Sequence, residues 1–431
     1  MKRELEILIK IDHPNIIKLF DSYEDEKYFH LVTELCTGGD LHERIIDQGS
    51  LSEYDAANIM RKIMGAVHYM HLNFISHRDL KPENFLYESK SSSEIKIIDF
   101  GMANFFQNSF HMKSLAGTPE YWAPDVLKGS YSSACDVWSL GVLLYFILSS
   151  QHPFRGVDLQ HTLSKSVKGL FTFSSPEWEK ISPEAKDLIS KMLVVHPSSR
   201  ITIPKALTHK WFAANNENQK QKIPNRVFDS LREAKAHNKL WQEALKVVIR
   251  TLTPLQINEL KSAFLAIDKG KSGFITVKDL EEAMSLSGFN MSREEIEKIV
   301  ENCSYLNEGK INYLDFLVAT LDKKKLLNEE ILWEAFRFFD CDRDGKISLK
   351  DFELAFKKCG AEFSRDEFEW IFEDGEDGLA ENMQFEKFLD AFRNIIEVEE
   401  KEGASARVVI RKIRTNVEEM LIKKKSKVID D

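Results

Sequence analysis

Residues 77–84 carry a dense set of side chains suited to phosphoryl transfer. They read His-Arg-Asp-Leu-Lys-Pro-Glu-Asn, and Asp99-Phe100-Gly101 follows after an apolar, strand-like run. Asp79 can accept or orient the proton of a hydroxyl group, and Lys81 can neutralise charge on the moving phosphoryl group. Asn84 and the aspartate of the second motif offer the hard oxygen ligands that Mg²⁺ prefers. An eight-residue match with a second motif at loop distance favours this chemistry over a solvated charged loop.

The two motifs resemble the catalytic and magnesium loops of eukaryotic protein kinases, and Lys81 is typical of the serine/threonine class. The resemblance implies ATP and Mg²⁺ as cofactors, with Asn84 and Asp99 as magnesium ligands and protein Ser or Thr hydroxyls as acceptors. Residues 117–124 resemble the kinase loop that docks substrate. There the resemblance implies that Thr118 forms hydrogen bonds near Asp79 and Lys81.

The same resemblance assigns nucleotide-binding positions upstream. Glu34 and Cys36 fall in the hinge whose backbone reads adenine, and Asp40 would reach the ribose or a basic substrate residue. Glu4 matches the helix glutamate that kinases pair with a strand lysine. On spacing alone, an exposed helix carboxylate remains the alternative interpretation of Glu4.

Residues 1–212 are therefore predicted to form an α+β kinase fold whose large lobe is mostly helical. We expect a helix over residues 2–11, strands at Ile16–Asp21 and Tyr28–Leu35, and helices over residues 51–72 and 140–148. The small lobe is expected to be incomplete, because the glycine-rich loop and strand lysine of a kinase would precede Met1.

Two explanations of this start remain open. An incomplete or alternatively started open reading frame is favoured over a genuine short form with damaged catalysis. In either case we expect Glu4 to have no partner, and residues 1–431 alone to transfer little phosphate. Coding DNA upstream, read for a glycine-rich loop and lysine in frame, separates the two explanations.

Two positions in the large lobe bear on regulation and stability. Asp125 stands where kinases carry a glutamate that pairs with an arginine, matched here by Arg200. Because aspartate is one methylene shorter, we expect this pair to be stretched or bridged by water. Ser114 lies where many kinases carry an activating phosphate that could pair with Arg78, and an unmodified loop serine is the alternative.

A junction over residues 213–253 is predicted to contain a basic amphipathic helix. Residues 214–250 hold eight Lys or Arg against four Asp or Glu. Apolar residues recur at i, i+3, i+4, i+7 and i+8 from Trp241 through Ala244, Leu245 and Val248 to Ile249. Such a helix could block a substrate cleft or lie in a calcium-opened groove, and a plain connecting helix is the alternative.

Residues 254–395 carry four helix–loop–helix units, predicted to form two paired, all-α EF-hand lobes at 254–325 and 326–395. A calcium loop needs oxygen ligands at positions 1, 3, 5 and 12, a glycine at position 6 and a carbonyl at position 7. The third loop fits best, and its predicted ligands are Asp340, Asp342, Asp344, Lys346, Ser348 and Asp351. The shorter carboxylate at its twelfth position predicts weaker affinity and better competition by Mg²⁺.

The other loops fit calcium less well. The first offers Asp268, Ser272, Phe274, Thr276 and Asp279, but its third position is Gly270, which predicts a weak site. The second, Ser304 to Asp315, has no acid at position 1. The fourth takes its apolar register from Met383 and Phe385, which puts Glu381 at the turn and Lys387 at position 12. The second and fourth are predicted to be structural partners without metal.

Taken together, the kinase motifs, the basic junction and the four repeats resemble the calcium-dependent protein kinases of plants and protists. Phe316–Thr320, after the second loop, strengthens this match. The resemblance implies that Ca²⁺ rearranges the repeats and frees the kinase from its junction. A non-catalytic, calcium-responsive binding protein built on a kinase fold is the competing hypothesis.

The composition of the chain argues against some classes of function. The net charge of −10 argues against bulk nucleic-acid binding, and the longest apolar run has nine residues, too few to span a bilayer. Five scattered cysteines suit a reducing compartment, so we expect a cytoplasmic monomer that acts on proteins, with acidic Asp40 and Glu83 favouring basic substrates. The basic tail, 396–431, is predicted to be solvated, and Lys423–Lys425 leaves contact with acidic lipid or an import factor open.

Overall fold

The computed structural model describes residues 2–106, 112, 117–215, 223–234, 245–246, 248–249, 252–304, 309–322, 328–358 and 382–390. The chain divides into two compact units, one of residues 1–222 with 268–275, the other of 223–267 with 276–431.

The first unit opens with helix α1 (Lys2–Lys10) and an antiparallel ribbon of β1 (Leu19–Glu24) and β2 (Phe29–Thr33). The predicted helix is confirmed, but the first strand lies three residues later than predicted. Ile16 instead forms an isolated bridge with Ile97. In the turn between the two strands, the Asp25 carboxylate accepts the backbone N–H groups of Lys27 and Tyr28 at 2.7 and 2.8 Å.

Two short ribbons bracket the predicted catalytic loops. Helices α2 (Leu41–Gln48) and α3 (Glu53–Leu72) lead to β3 (Ile75–Ser76), which pairs with β6 (Asn104–Phe105). Strand β4 (Phe85–Tyr87) pairs with β5 (Ile95–Ile97). Residues 77–84 therefore lie between β3 and β4, and residues 98–103 lie between β5 and β6. The pairing holds the ends of both loops on neighbouring strands.

The rest of this unit is helical around α5 (Ala134–Ser149), which is buried along nearly its whole length, as predicted. It packs on α3 and on α7, and Trp138 stacks on Phe154 with ring centroids 5.1 Å apart. The other helices are α4 (Pro124–Leu127), α6 (Leu159–Lys168), α7 (Pro183–Met192), α8 (Ile203–Leu207) and α9 (Lys210–Ala214). Across the described residues, no helix combines the length and apolarity needed to cross a bilayer.

A buried ion pair joins α4 to the loop after α7. Arg200 Nη2 lies 2.8 Å from Asp125 Oδ1, and both side chains are almost fully buried. The prediction of a stretched or water-bridged pair is therefore wrong. The arginine is fixed by the carbonyl oxygens of Ala134 and Val194 at 2.6 and 3.0 Å, and it meets the shorter carboxylate directly.

Helix–loop–helix repeats form most of the second unit. Its helices are α10 (Asn225–Glu233), α11 (Pro254–Ile267), α12 (Val277–Leu286), α13 (Arg293–Cys303), α14 (Tyr313–Thr320), α15 (Glu329–Phe339) and α16 (Leu349–Lys358). The repeat loops carry strands β7 (Phe274–Thr276), β8 (Lys310–Asn312), β9 (Ile347–Ser348) and β10 (Asn382–Met383). Strand β9 pairs with β10.

The junction contributes buried side chains to this unit. Helix α10 packs on α13 and α14, and its Phe228 ring lies 5.2 Å from that of Phe289. Farther along, Leu245, Val248 and Ile249 are buried and helical. The predicted apolar face is thus covered at these positions, while Trp241 and Ala244 lie outside the described residues.

Candidate functional site

One buried carboxylate shapes the start of the catalytic loop. Asp136, in the first turn of α5, accepts the backbone N–H groups of Arg78 and His77 at 2.8 and 3.0 Å and the Ser76 hydroxyl at 2.9 Å. Arg78 has a φ of 71°, and the bonds to Asp136 compensate for this strained backbone. Burial acts to raise the pKa of Asp136. The hydrogen bonds from His71 and from the backbone N–H groups have the larger, opposite effect, so the pKa lies below its usual value.

Asp79 lies at the centre of the loop, held by two residues that the sequence predicted beside it. Its Oδ1 accepts both the backbone N–H and the hydroxyl of Thr118, each at 2.8 Å, and its Oδ2 lies 2.9 Å from Lys81 Nζ. Lys81 also donates to the Thr118 hydroxyl at 2.9 Å. Burial acts to raise the pKa of Asp79, but the Lys81 and Thr118 hydrogen bonds outweigh it and hold that pKa below the usual value.

Asn84 and Asp99 offer the type of oxygen ligand that Mg²⁺ prefers. The Asn84 amide nitrogen donates to the Asp79 carbonyl at 2.8 Å and to Asp79 Oδ2 at 3.2 Å, so its amide oxygen is the atom left to coordinate. Asp99 Oδ1 accepts the Gly101 N–H at 2.9 Å, which orients the carboxylate. Both residues offer hard oxygens, and they therefore fit a magnesium ion.

The side chains of the predicted nucleotide-binding residues Glu34 and Asp40 form hydrogen bonds within the protein. Glu34 is buried, and its Oε1 accepts from Lys96 Nζ and from the Lys18 N–H, both at 2.8 Å. A role for Glu34 in binding adenine would therefore fall to its backbone, as the sequence predicts. Asp40 accepts the Glu43 N–H at 2.8 Å as the N-cap of α2, and Cys36 is half-buried.

Glu4 lies beside the predicted magnesium loop, close to Asp99 and Phe100, and the expectation that it lacks a lysine partner stays a prediction. Its carboxyl accepts a hydrogen bond from the Phe100 backbone. Burial, and then the charge of Asp99, raise the pKa of Glu4. The structure thus brings the predicted helix glutamate to the catalytic centre.

Arg78, which a phosphate on Ser114 could pair with, donates hydrogen bonds to other residues in this structure. Its Nε donates to the Met102 carbonyl at 2.6 Å and its Nη1 to the Tyr131 hydroxyl at 3.1 Å. Ser114 lies outside the described residues. The contacts of Arg78 and the Lys96–Glu34 pair were missed from the sequence, because each joins residues far apart in the chain.

The third repeat loop gathers its acidic side chains. One carboxylate oxygen from each of Asp340, Asp342 and Asp344 lies within 4.8 Å of the others. Asp340 accepts the backbone N–H groups of Asp344 and Gly345 at 3.1 and 3.0 Å. Burial raises the pKa of Asp340, and the backbone N–H groups partly offset the rise. Three carboxylates converging on one point fit a calcium ion.

The end of the third loop is built around its twelfth residue. Asp351 Oδ2 accepts the backbone N–H of Ser348 at 2.9 Å, and the Ser348 hydroxyl bonds the same oxygen. Strand β9 pairs Ile347 with Met383, which places the eighth position of the third loop opposite the predicted eighth position of the fourth. The structure therefore supports the register assigned to the fourth loop.

The first loop repeats this backbone with fewer ligands. Asp268 accepts the N–H groups of Ser272 and Gly273 at 3.0 and 2.8 Å, and Ser272 donates to the Phe274 carbonyl at 2.9 Å. Thr276 and Asp279 form a capping box at the start of α12. The predicted ligands are thus in loop register, with Gly270 contributing no side chain.

The second and fourth loops end in groups that do not resemble a calcium site. At the twelfth position of the second, Asp315 is buried and pairs with Lys246 of the junction at 2.9 Å. The corresponding residue of the fourth is the exposed Lys387, and Glu381 lies outside the described residues. The Lys246–Asp315 pair was missed. Nothing in the sequence near Lys246 marked it as the partner of Asp315.

Comparisons with known proteins find a kinase domain followed by EF-hand domains in this chain. Residues 1–212 match the protein kinase domain, residues 257–321 an EF-hand domain pair, and residues 331–360 an EF-hand domain. These matches confirm the predicted fold class, a kinase fold followed by all-α EF-hand repeats.

Curated relatives extend the match across most of the chain. Calcium-dependent protein kinase 17 of Arabidopsis thaliana is 36% identical over 91% of this chain and 75% of its own length. Calcium-dependent protein kinase 21 of the same plant is 38% identical over 84% of this chain and 68% of its own. Calcium-dependent protein kinase 3 of Plasmodium yoelii yoelii is 39% identical over 81% of this chain, which spans 65% of that relative. With its kinase motifs, its EF-hand loops and these relatives, the chain belongs to the calcium-dependent protein kinase family.

Proposed function

We propose that this protein is a calcium-regulated serine/threonine kinase that transfers the ATP γ-phosphate to protein hydroxyls. The observation that carries the proposal is the hydrogen-bonded set of Asp79, Lys81 and Thr118. An ionised carboxylate held 2.8 Å from a threonine and 2.9 Å from an ammonium suits transfer to a hydroxyl. Names of the relatives point to the same activity.

Each residue of the loop has a distinct part in the proposed reaction. Bound Mg-ATP supplies the phosphoryl group and the charge that neutralises its oxygens. Asp79, kept ionised by its lowered pKa, orients the substrate hydroxyl and accepts its proton. Lys81 stabilises negative charge on the transferred group, and Thr118 fixes Asp79 in place. Asn84 and Asp99 would hold magnesium through oxygen atoms.

Adenine and ribose would be bound upstream of this loop. We assign adenine to the backbone of Glu34 and Cys36, and ribose to Asp40. Glu4 would take its place at the phosphate end, since its carboxyl lies beside Asp99 and Phe100.

Basic protein segments are the proposed substrate class. Glu83 and Glu120 are exposed, and their charges both act on the buried Tyr121, whose pKa is raised first by burial and then by these carboxylates. Two carboxylates next to the catalytic and docking loops favour Arg or Lys near the target hydroxyl. The protein is proposed to act in the cytoplasm, since five scattered cysteines suit a reducing compartment.

Calcium is proposed to act through the third loop and more weakly through the first. The supporting observation is the convergence of three carboxylates in the third loop, against one aspartate among positions 1, 3 and 5 of the first. The junction would carry the signal, because its helix α10 packs on α13 and α14 of the repeats.

A transfer assay with radiolabelled ATP and a basic serine peptide tests the catalytic assignment. Residues 1–431 alone are expected to transfer little phosphate, and we expect Asp79→Asn to lower that transfer by a further factor of about 100 or more, because the variant loses the proton acceptor. Asp47→Asn, an exposed aspartate of α2, is the matched control and is expected to leave the rate unchanged.

The competing function, a calcium-responsive binding protein, predicts a different pattern in the same assay. Transfer by the unmutated chain would then be no greater than that of Asp79→Asn, with and without calcium. Calcium would still change the binding of a partner protein.

A further inference from the structure

A buried ion pair links the junction to the second repeat loop. Lys246 Nζ lies 2.9 Å from Asp315 Oδ1. Lys246 is 7% exposed and Asp315 is 2% exposed. A lysine and an aspartate are seldom buried this deeply unless they are paired, because each charge loses its hydration.

Asp315 is the twelfth residue of its loop, the position whose carboxylate coordinates calcium in a binding loop. Its Oδ2 accepts from the Asn312 side-chain amide at 2.7 Å, and its backbone N–H donates to Asn312 Oδ1 at 2.7 Å. Position 9 thus bonds position 12, as Ser348 bonds Asp351 in the third loop. The remaining oxygen, Oδ1, takes the ammonium of Lys246.

The buried Cys303 thiol lies close to this carboxylate. Burial first, and then the negative charge of Asp315, raise the pKa of the Cys303 thiol to about 12. An ionised carboxylate next to buried Cys303 needs a cation close by, and Lys246 supplies one.

We propose that Lys246 is an internal ligand of the second loop. Its ammonium takes the carboxylate that calcium would use, and so holds junction segment 245–249 at the start of α14 without calcium. The second loop then anchors the junction, and calcium sensing is left to other loops. This inference concerns the repeats and the junction and does not depend on kinase activity.

Hydrogen–deuterium exchange on the full 431-residue chain tests the anchor. Peptides covering residues 245–252 are followed in chelator and in calcium. For the unmutated chain we expect equal protection in both conditions, because the anchoring cation belongs to the chain. In Lys246→Met we expect exchange of this segment to rise by about tenfold or more, since the buried carboxylate loses the ammonium that neutralises it.

Companion variants separate loss of the pair from loss of the fold. Lys246→Arg keeps the cation and should stay within about threefold of the unmutated exchange rate. The double variant Lys246→Met with Asp315→Asn removes both charges and should recover most of the protection lost in either single variant. Lys278→Met, an exposed lysine of α12, is the control for loss of one surface charge.

Three results would overturn the proposal. One is exchange in Lys246→Met within twofold of the unmutated chain. Another is additive damage in the double variant, which would show that the two side chains are not coupled. The third is protection of residues 245–252 that exists only in calcium. If Lys246→Met does not fold, the comparison of the arginine variant with the double variant still decides the question.

Discussion

The third and first repeat loops share a backbone and differ in what they offer a cation. In each, the aspartate at position 1 accepts the N–H groups of positions 5 and 6. Position 4 has a positive φ in both, 62° at Arg343 and 50° at Lys271. A glycine with positive φ follows at position 6.

The carboxylates that the two loops offer differ at two positions. Positions 3 and 5 are Asp342 and Asp344 in the third loop, but Gly270 and Ser272 in the first. The backbone of a calcium loop is therefore held by its first aspartate and its glycine, and the number of carboxylates is decided separately. A loop can keep its shape while its affinity for calcium changes.

The largest expected effect comes from breaking the third loop. Asp340→Ala removes a ligand and the acceptor of two backbone N–H groups, so we expect calcium affinity at this loop to fall about 100-fold and most of the calcium response to be lost. Titration calorimetry on the full chain measures it. Asp268→Ala, the matched change in the first loop, is expected to alter total calcium binding far less. Unchanged calcium binding in Asp340→Ala would remove the third loop from the mechanism.

Repairing the first loop sharpens the same comparison. Gly270→Asp adds a carboxylate at position 3, where a new Cβ would come no closer than 4.0 Å to Asp268 Oδ1. We expect about tenfold tighter calcium binding at this loop, because ligand charge is a main determinant of affinity. Gly270→Asn is the control, since it adds a neutral oxygen and should gain less. Equal effects of the two variants would contradict the role assigned to charge.

Replacing the glycine at position 6 by alanine should destabilise the two loops to different extents, because the surroundings of the two glycines differ. An added Cβ at Gly345 meets nothing within 4 Å, so Gly345→Ala should cost about 1 kcal/mol of unfolding free energy from its positive φ alone. At Gly273 the Cβ would lie 2.5 Å from the Tyr69 ring, and both residues belong to the first unit. We therefore expect Gly273→Ala to cost about 1 kcal/mol more, measured by thermal and chemical unfolding. Equal costs would show that the Tyr69 contact is not maintained in solution.

Motif spacing predicted much of the catalytic centre. Asp79, Lys81 and Thr118 are separated by up to 39 residues, yet the structure brings them within hydrogen-bond distance, as the family resemblance implied. The register of the fourth loop could also be predicted, because its apolar eighth position fixes the numbering of the other loop positions. Long motifs were thus enough to predict the catalytic centre, and a local apolar pattern was enough to predict the register of the fourth loop.

Contacts between distant, individually ordinary residues could not be predicted. Nothing near Lys246 in sequence marks it as the partner of Asp315, and its charge suggested only a basic junction. The Asp125–Arg200 pair was expected to be stretched because side-chain length was considered without the backbone carbonyls that position the arginine. Such pairs depend on how helices pack, which the sequence specifies only through the whole fold.

The smallest expected effect concerns the twelfth position, where the two loops agree. Asp351 and Asp279 are both aspartates bonded by the residue at position 9. Asp351→Glu should raise the calcium affinity of the third loop by about threefold and weaken competition by Mg²⁺, because glutamate reaches the ion with two oxygens. Asp279→Glu should change little, since the first loop lacks a carboxylate at positions 3 and 5. Calcium titrations with and without excess magnesium measure both variants. If Asp279→Glu gains as much as Asp351→Glu, the twelfth residue, and not the carboxylates at positions 3 and 5, limits calcium binding in this protein.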